Sequence, residues 1–324
     1  MAGRAGGLHR HMADITKKIG DLDVFPLSLG GNVFGWTADR DASFAVLDAY
    51  LEGGGDFVDT ADVYSAWVPG NKGGESEEII GEWLAARRNR DDVVIATKGG
   101  HHPEHTGLSA PVLKAAVDAS LRRLGTDHID LYYTHFDDPD VPVEEIMTAL
   151  DELVRAGKIR QLGASNISPE RLAASMDFAE REGKARYVAL QPHYNLVSRD
   201  TYEGDLQDTA ARYGLAAVPY YGLASGFLTG KYRPGQQVDS ARAQGAAKYL
   251  ESERGRKVLA TLDDVAKERA AAVPTVALAW LAAKPTVVAP IASARTVEQL
   301  PPLLAVPGLE LSEAEVAALD EASA

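Results

Sequence analysis

The fold class this sequence predicts is α/β, a closed (β/α)8 TIM barrel with an N-terminal β-hairpin and additional C-terminal helices. Two observations predict it. Eight short runs of β-branched or aliphatic residues alternate with segments of helical periodicity. The alternation also continues without a break in composition through 324 residues that are 45% hydrophobic, enough for one large core. A doubly wound parallel sheet is the alternative. It calls for a Gly-rich phosphate turn after the first strand, and Leu29-Gly30-Gly31-Asn32 is a poor match.

The elements follow in order. Ile15–Val24, with Gly20-Asp21 near its middle, reads as a hairpin outside the alternation. The barrel strands are expected at Leu27–Gly31, Phe57–Thr60, Val93–Thr97, Ile129–Thr134, Arg160–Ala164, Val188–Gln191, Ala216–Tyr220 and Thr286–Pro290. Helices are expected at Ala42–Glu52, Ser76–Arg88, Ala110–Leu124, Val143–Arg155, Pro169–Glu182 and Thr201–Tyr213, and in a longer region from Arg254 to Lys284 that Pro274 divides. Ser168-Pro169 and Ser109-Ala110-Pro111 are helix starts, while Gly53, Gly125, Gly157, Gly183 and Gly214 close helices. After the last strand, Val297–Leu304 and Ser312–Ala322 have helical character. Residues 1–13 read as a disordered leader, and residues 14–324 as a single barrel domain.

The net charge of −14 argues against a binder of nucleic acid or anionic membranes, either of which needs a basic stripe. Cysteine is absent from the sequence, which excludes disulfides, thiolate nucleophiles and zinc–thiolate sites. Arg4 and Arg10 flank no apolar run of signal-peptide length, and the apolar-rich run Ala270–Ala283 is interrupted by Pro274 and too short for a membrane span. A cytoplasmic protein is expected.

Polar residues at the downstream ends of three successive apolar strands carry the chemistry. Asp59 closes FVD and Tyr64 lies just beyond it, Lys98 closes VVIATK, and His135 closes LYYTH. In a parallel barrel such strand ends converge on one face, where active sites are built. Taken singly, Asp59 suits a turn cap, Tyr64 packing, and His135 a bonded core histidine; only Lys98 has no solvated face to retreat to. Together they suit proton transfer to an oxygen. A phenol with an ordinary pKa of about 10 is made more acidic by a nearby ammonium, and a carboxylate keeps that ammonium from being a lone buried charge. The imidazole is suited to orienting a substrate oxygen.

FVDTADVYS, VVIATK, DLYYTH, GKIRQLGASN, QPHYNL and GFLTGKY occur in that order. This series resembles the aldo-keto reductases, single-domain barrels that use NADPH to reduce aldehydes and ketones. The resemblance runs from about Leu27 to Leu300, and its flavour is like that of the bacterial reductases related to the potassium-channel β-subunits. It implies Tyr64 as general acid, Lys98 and Asp59 as the pair that tunes it, and His135 as the carbonyl-orienting group. Some relatives carry asparagine in place of the histidine and reduce poorly, so His135 favours a working enzyme over a non-catalytic NADPH-binding subunit.

The same resemblance implies a nicotinamide clamp. Ser165, Asn166 and Gln191 would hold the carboxamide, and Tyr220 would stack on the ring. The stretch YGLASGFLTGK offers small residues whose backbone can approach phosphates, with Lys231 adding charge. Leu223 and Gly226 would lie near the pyrophosphate, and Arg242 would close over it. Ser293, Arg295 and Gln299 begin a short helix, and a helix start with an arginine suits a 2′-phosphate, hence NADP(H). The sequence departs from the family pattern twice: Tyr221-Gly222 stands where Ser-Pro is usual, and Pro302-Leu303 where Glu-Asn is usual. Trp36, Trp67 and Tyr221 are candidates for the wall of a substrate pocket. His101, His102 and His105 have no spacing that fits a metal and are expected in a solvated loop. A Schiff-base aldolase working through Lys98 is the remaining rival.

Overall fold

The computed structural model describes residues 15–324; the leader expected over residues 1–13 lies outside the described residues. Its strands are β1 (Lys17–Ile19), β2 (Leu22–Val24), β3 (Ser28–Gly30), β4 (Phe57–Asp59), β5 (Val94–Gly99), β6 (His101–His102), β7 (His105–Thr106), β8 (Ile129–Thr134), β9 (Ile159–Ser165), β10 (Tyr187–Gln191), β11 (Ala216–Ala217) and β12 (Ile291–Ala292). Its α-helices are α1 (Arg40–Glu52), α2 (Glu75–Arg87), α3 (Ala110–Leu124), α4 (Val143–Arg155), α5 (Pro169–Arg181), α6 (Asp205–Arg212), α7 (Ala243–Glu251), α8 (Glu253–Arg269), α9 (Val273–Ala282), α10 (Pro301–Leu304) and α11 (Glu313–Ala322).

Eight strands form one parallel sheet in the order β11-β10-β9-β8-β5-β4-β3-β12. The sheet closes on itself. Ala217 bridges Val287 in parallel, and Val288 N–H donates to the Ala217 carbonyl at 2.9 Å. A few residues on, Ser28 N–H donates to the Pro290 carbonyl at 2.9 Å, and Ile291 pairs with Ser28. Strands buried on both faces read as unbroken apolar runs, and all six residues of β8, IDLYYT, are buried. Ile95 and Tyr132 belong to the core shared with the helices, whereas their neighbours Ala96 and Tyr133 pack inside the barrel. Truncation of Leu131 inside that lumen to alanine would cost about 2–5 kcal/mol.

The hairpin forms as expected, β1 against β2, with Gly20 at φ +56°. Ile19, Leu22 and Val24 pack into the barrel-interior cluster with Phe57, Leu131 and Ala189. A Cβ at Gly20 would lie 2.6 Å from Gln161 Oε1, near the start of β9. The hairpin thereby plugs the N-terminal end of the barrel and leaves the opposite end for the site.

Several boundaries differ from expectation. The ladders of β11 and β12 are short because Pro219 and Pro290 have no N–H to donate. Helix α6 starts at Asp205 rather than Thr201, since Gly204 sits at φ +99°, outside the helical region. Helix α7 lies in a stretch for which the sequence suggested no element. The 297–304 segment is a 3-10 turn, Val297–Gln299, followed by the four-residue α10. The histidine segment is an antiparallel ribbon of β6 and β7, with His102 buried, rather than a solvated loop. No helix among the described residues is long and apolar enough to cross a membrane.

Candidate active site

Asp59, Lys98 and His135 stand at or just past the C-terminal ends of β4, β5 and β8, neighbours in the sheet. Lys98 Nζ donates to Asp59 Oδ2 at 2.7 Å, to the Thr60 carbonyl at 2.7 Å and to the Tyr64 hydroxyl at 2.9 Å. An ammonium has three N–H bonds, so all are committed. Asp59 is held from its other side by Gln191 Nε2, 3.0 Å from Oδ1. Both members of the ion pair are buried. Burial works against the Lys98 charge, but Asp59 and then Tyr64 outweigh it and hold its pKa above that of a free lysine. Burial, and then Lys98 and His101, push the His135 imidazole well below its ordinary value, so it is neutral at physiological pH. Its ring lies edge-on to Tyr64 at 6.1 Å between centroids.

These residues form the floor of a cleft of about 1260 Å³. Every site residue named from the sequence lines it except Lys98, which reaches it through Tyr64. On one side Ser165 Oγ donates to the Gln191 carbonyl at 2.8 Å, and Asn166 Nδ2 donates to the His135 carbonyl at 2.9 Å. Asn166, in the left-handed region at φ +48°, accepts from the Tyr220 hydroxyl at 2.7 Å. One face of Tyr220 stacks on His193, with centroids 5.5 Å apart and planes 18° apart. Burial, with Tyr221 adding to it, pushes the Tyr220 phenol up to about 12.

Further along the cleft, Tyr221, Ala224 and Ser225 have positive φ, followed by Gly226 at +91°. Such residues cost of order 1–3 kcal/mol each and gather where backbone must present its amides. The amides of Gly222, Leu223 and Ser225 donate to no acceptor among the described residues. Lys231, Arg242 and Arg295 line the same stretch, and none of the three makes a salt bridge among the described residues. Arg295 N–H is capped by Gln299 Oε1 at 2.9 Å, and Ser293 Oγ donates to Asn32 Oδ1 at 2.5 Å.

The mouth is aromatic. Trp36 and Trp67 meet edge to face at 5.6 Å, and Trp67 contacts Tyr64 at 6.1 Å. Opposing them, His101 lies against Phe136 at 4.5 Å, and Phe136 against His135 at 4.9 Å. Trp67, Phe136 and Tyr221 are 49%, 41% and 55% exposed, three of the five large hydrophobic residues the described surface exposes. Arg242 lies 5.6 Å from the Trp36 ring.

A buried Asp–Lys–Tyr set with a neutral histidine, on a cleft whose cations have no carboxylate partner among the described residues, agrees with the comparisons with known proteins. The model of the Aldo/keto reductase family matches residues 26–324. The chain belongs to the aldo-keto reductase family. Among its relatives, norsolorinic acid reductase stcV of Emericella nidulans is 33% identical, over 97% of this chain and 81% of its own length. Aryl-alcohol dehydrogenase [NADP(+)] of Phanerodontia chrysosporium is 33% identical over 91% and 80%. A bacterial relative, the uncharacterized oxidoreductase YrpG of Bacillus subtilis, is 36% identical over 86% of each chain.

Two expectations for this aldo-keto reductase need correction. Lys98 does pull the Tyr64 phenol down, but burial outweighs it, and the phenol's pKa stands above its usual value. Tyr64 is thus firmly protonated at neutral pH, with Lys98 limiting the rise. The short helix expected to present Arg295 is a single 3-10 turn, whose dipole is too small to count. Attraction for an anion there rests on the guanidinium.

Other residues of the site escaped the sequence reading. Thr60 takes the third lysine proton through its carbonyl, a backbone role that leaves no trace in residue type. Phe136, next after His135, and His193, within QPHYNL, carried a signal in their adjacency to strand ends. His101 reaches the cleft, while His102 turns inward and its Nδ1 accepts from Glu104 N–H at 3.1 Å. No group of three or more His, Cys, Asp or Glu among the described residues is placed to hold a metal.

Proposed function

We propose that this protein reduces aldehyde or ketone carbonyls to alcohols, with Tyr64 as proton donor and NADPH as the source of hydride. The observation that carries the reading is the bonding of Lys98. Because the lysine donates to the Tyr64 oxygen at 2.9 Å, the phenol's own proton is directed elsewhere, and Tyr64 lines the cleft. A carbonyl oxygen held between that proton and the neutral His135 imidazole gains two hydrogen bonds as negative charge develops on it. When Tyr64 gives up its proton, the phenolate is left beside an ammonium that stabilises it, and Asp59 keeps that ammonium charged.

NADPH, when bound, supplies the hydride that the carbonyl carbon accepts. The residues present suit it. Asn166, Ser165 and Gln191 offer polar atoms for a carboxamide beside the Tyr220 ring. The amides of Gly222, Leu223 and Ser225, with Lys231 and Arg242, suit a pyrophosphate, and Arg295 suits a 2′-phosphate. In a chain of net charge −14, cations concentrated along one cleft, with no carboxylate partner among the described residues, favour an anionic ligand. The printed name of the NADP(+)-dependent aryl-alcohol dehydrogenase supports this choice, and the aromatic mouth supports aryl carbonyl compounds as substrates.

The Schiff-base alternative fares worse. It needs an unprotonated lysine, whereas Lys98 is held charged by a carboxylate at 2.7 Å. The test is a carbonyl screen followed by NADPH absorbance, beginning with para-nitrobenzaldehyde. Oxidation of NADPH is expected, with no product trapped on Lys98 by borohydride. Tight NADPH binding with no turnover of any reactive aldehyde would instead establish a cofactor-binding subunit.

A further inference from the structure

A second ionisable cluster lies behind β5, on the side away from the cleft. Successive residues of a strand point to opposite faces, so Lys98 faces the site while Thr97 and Gly99 face the helices. There Thr97 Oγ1 donates to Glu77 Oε2 at 2.8 Å, and Arg123 Nε donates to Glu77 Oε1 at 2.7 Å. Asp62 joins this cluster from the loop that carries Tyr64. It is fully buried, and neither carboxyl oxygen has a hydrogen-bond partner among the described residues. The Tyr132 hydroxyl and Arg123 Nη2 are buried and likewise without partners. Asp62 and Tyr132 converge at Gly99, where a Cβ would lie 1.9 Å from the Tyr132 hydroxyl and 3.4 Å from Asp62 Oδ2.

The charges decide the state of Asp62. The groups facing it are Glu77 on α2, Arg123 on α3, Lys98 on β5 and Tyr132 on β8. Lys98 is committed to Asp59, Thr60 and Tyr64 on the other face, and Arg123 is paired with Glu77. That leaves one guanidinium for two carboxyl groups. A second, unpaired carboxylate here would cost several kcal/mol. Burial, reinforced by Glu77, holds the Asp62 carboxyl well above the usual carboxylate range. The position also matters for the site. Asp62 N–H donates to the Lys98 carbonyl at 3.0 Å, and two residues later comes the phenol that Lys98 must meet.

We infer that Asp62 is a positioning residue: a fully buried carboxyl group, converging with the Tyr132 hydroxyl beside Gly99, that holds the Asp59–Tyr64 loop in register with Lys98. The inference rests on Tyr64 as proton donor. Asp62→Asn keeps the size and neutrality of the group, and should leave kcat within about threefold of wild type. Asp62→Leu removes the polar group from the cluster. It should lower kcat by about a hundredfold through misplacement of Tyr64, with the Kd for NADPH, measured by fluorescence titration, unchanged. Tyr132→Phe should lower kcat in the same direction, and combining it with Asp62→Leu should add little, because the two polar groups converge on the same buried site beside Gly99.

Wild-type kcat in Asp62→Leu overturns the inference, and so does a folded Asp62→Asn as impaired as the leucine variant, since that would show that charge is required. If Asp62→Leu does not fold, the other two variants decide. A fully active Tyr132→Phe then overturns the inference, and a loss of kcat at constant NADPH affinity beside an active Asp62→Asn supports it. Inactive wild-type protein would overturn the functional reading and the inference together, whereas active wild type with an insensitive Asp62→Leu overturns the inference alone.

Discussion

The two halves of the cleft are built on opposite plans. At the ends of β4, β5 and β8, charge is matched within the chain: the Lys98–Asp59 pair is buried, and every lysine proton has an acceptor. On the side formed by β9 to β12 and their loops, Lys231, Arg242 and Arg295 have no carboxylate partner among the described residues, and consecutive residues hold left-handed backbone. The first half is a preorganised device that works by not moving. The second is a set of donors arranged for charge that a ligand must bring. Mutations in the first half should therefore strike turnover and stability, and mutations in the second should strike cofactor affinity.

The sharpest way to break this contrast is Tyr64→Phe. Loss of the hydroxyl proposed as proton donor should reduce kcat by about a thousandfold or more, with NADPH affinity unchanged by fluorescence titration. Full activity in that variant would end the proposed mechanism. Lys98→Met should cost less in rate than the loss of the phenol, but it leaves Asp59 as an uncompensated buried charge. Urea unfolding should show a loss of about 3–5 kcal/mol. On the cofactor side, Arg295→Ala should leave stability and kcat nearly intact while lowering the preference for NADPH over NADH by about tenfold or more. The ratio of kcat/KM with the two cofactors measures it, and an unchanged ratio would show that Arg295 does not read a phosphate.

The smallest effect concerns pH. Since the folded-state pKa of His135 is depressed by burial, Lys98 and His101, the unfolded chain binds a proton first as pH falls. Stability contributed by neutral His135 is intact above the unfolded value of about 6.5 and declines as pH drops toward the folded value. The slope of melting temperature against pH below about 6.5 should therefore be shallower in His135→Asn than in wild type. An identical slope would show that this histidine is not held neutral by the fold.

Much of this was legible in the residues. Lys98 stood out because VVIATK leaves a cation no solvated side, so its partners had to come from other strands. His101, His102 and His105 were not separable by sequence, since alternation along a two-residue strand, not residue type, sends His101 to the cleft and His102 inward. Asp62 lies in the same motif as Asp59 and Tyr64 and went unremarked. Its significance depends on Glu77, Arg123 and Tyr132, which arrive from three other elements.

The sequence by itself determined the eightfold alternation, the N-terminal hairpin and the candidate residues at the strand ends. Hydrophobic period and turn chemistry are local properties, and ionisable groups at the ends of apolar strands are rare enough to be informative. Only the tertiary structure decided how those residues are paired. Gln191 bonds Asp59 across 132 positions of chain, and the Ala217–Val287 contact closes the barrel despite three nearby prolines, Pro219, Pro285 and Pro290. The balance by which burial overrides Lys98 at Tyr64 belongs to the same class. Such contacts depend on sheet register and on depth from solvent, and neither quantity exists until the strands have met.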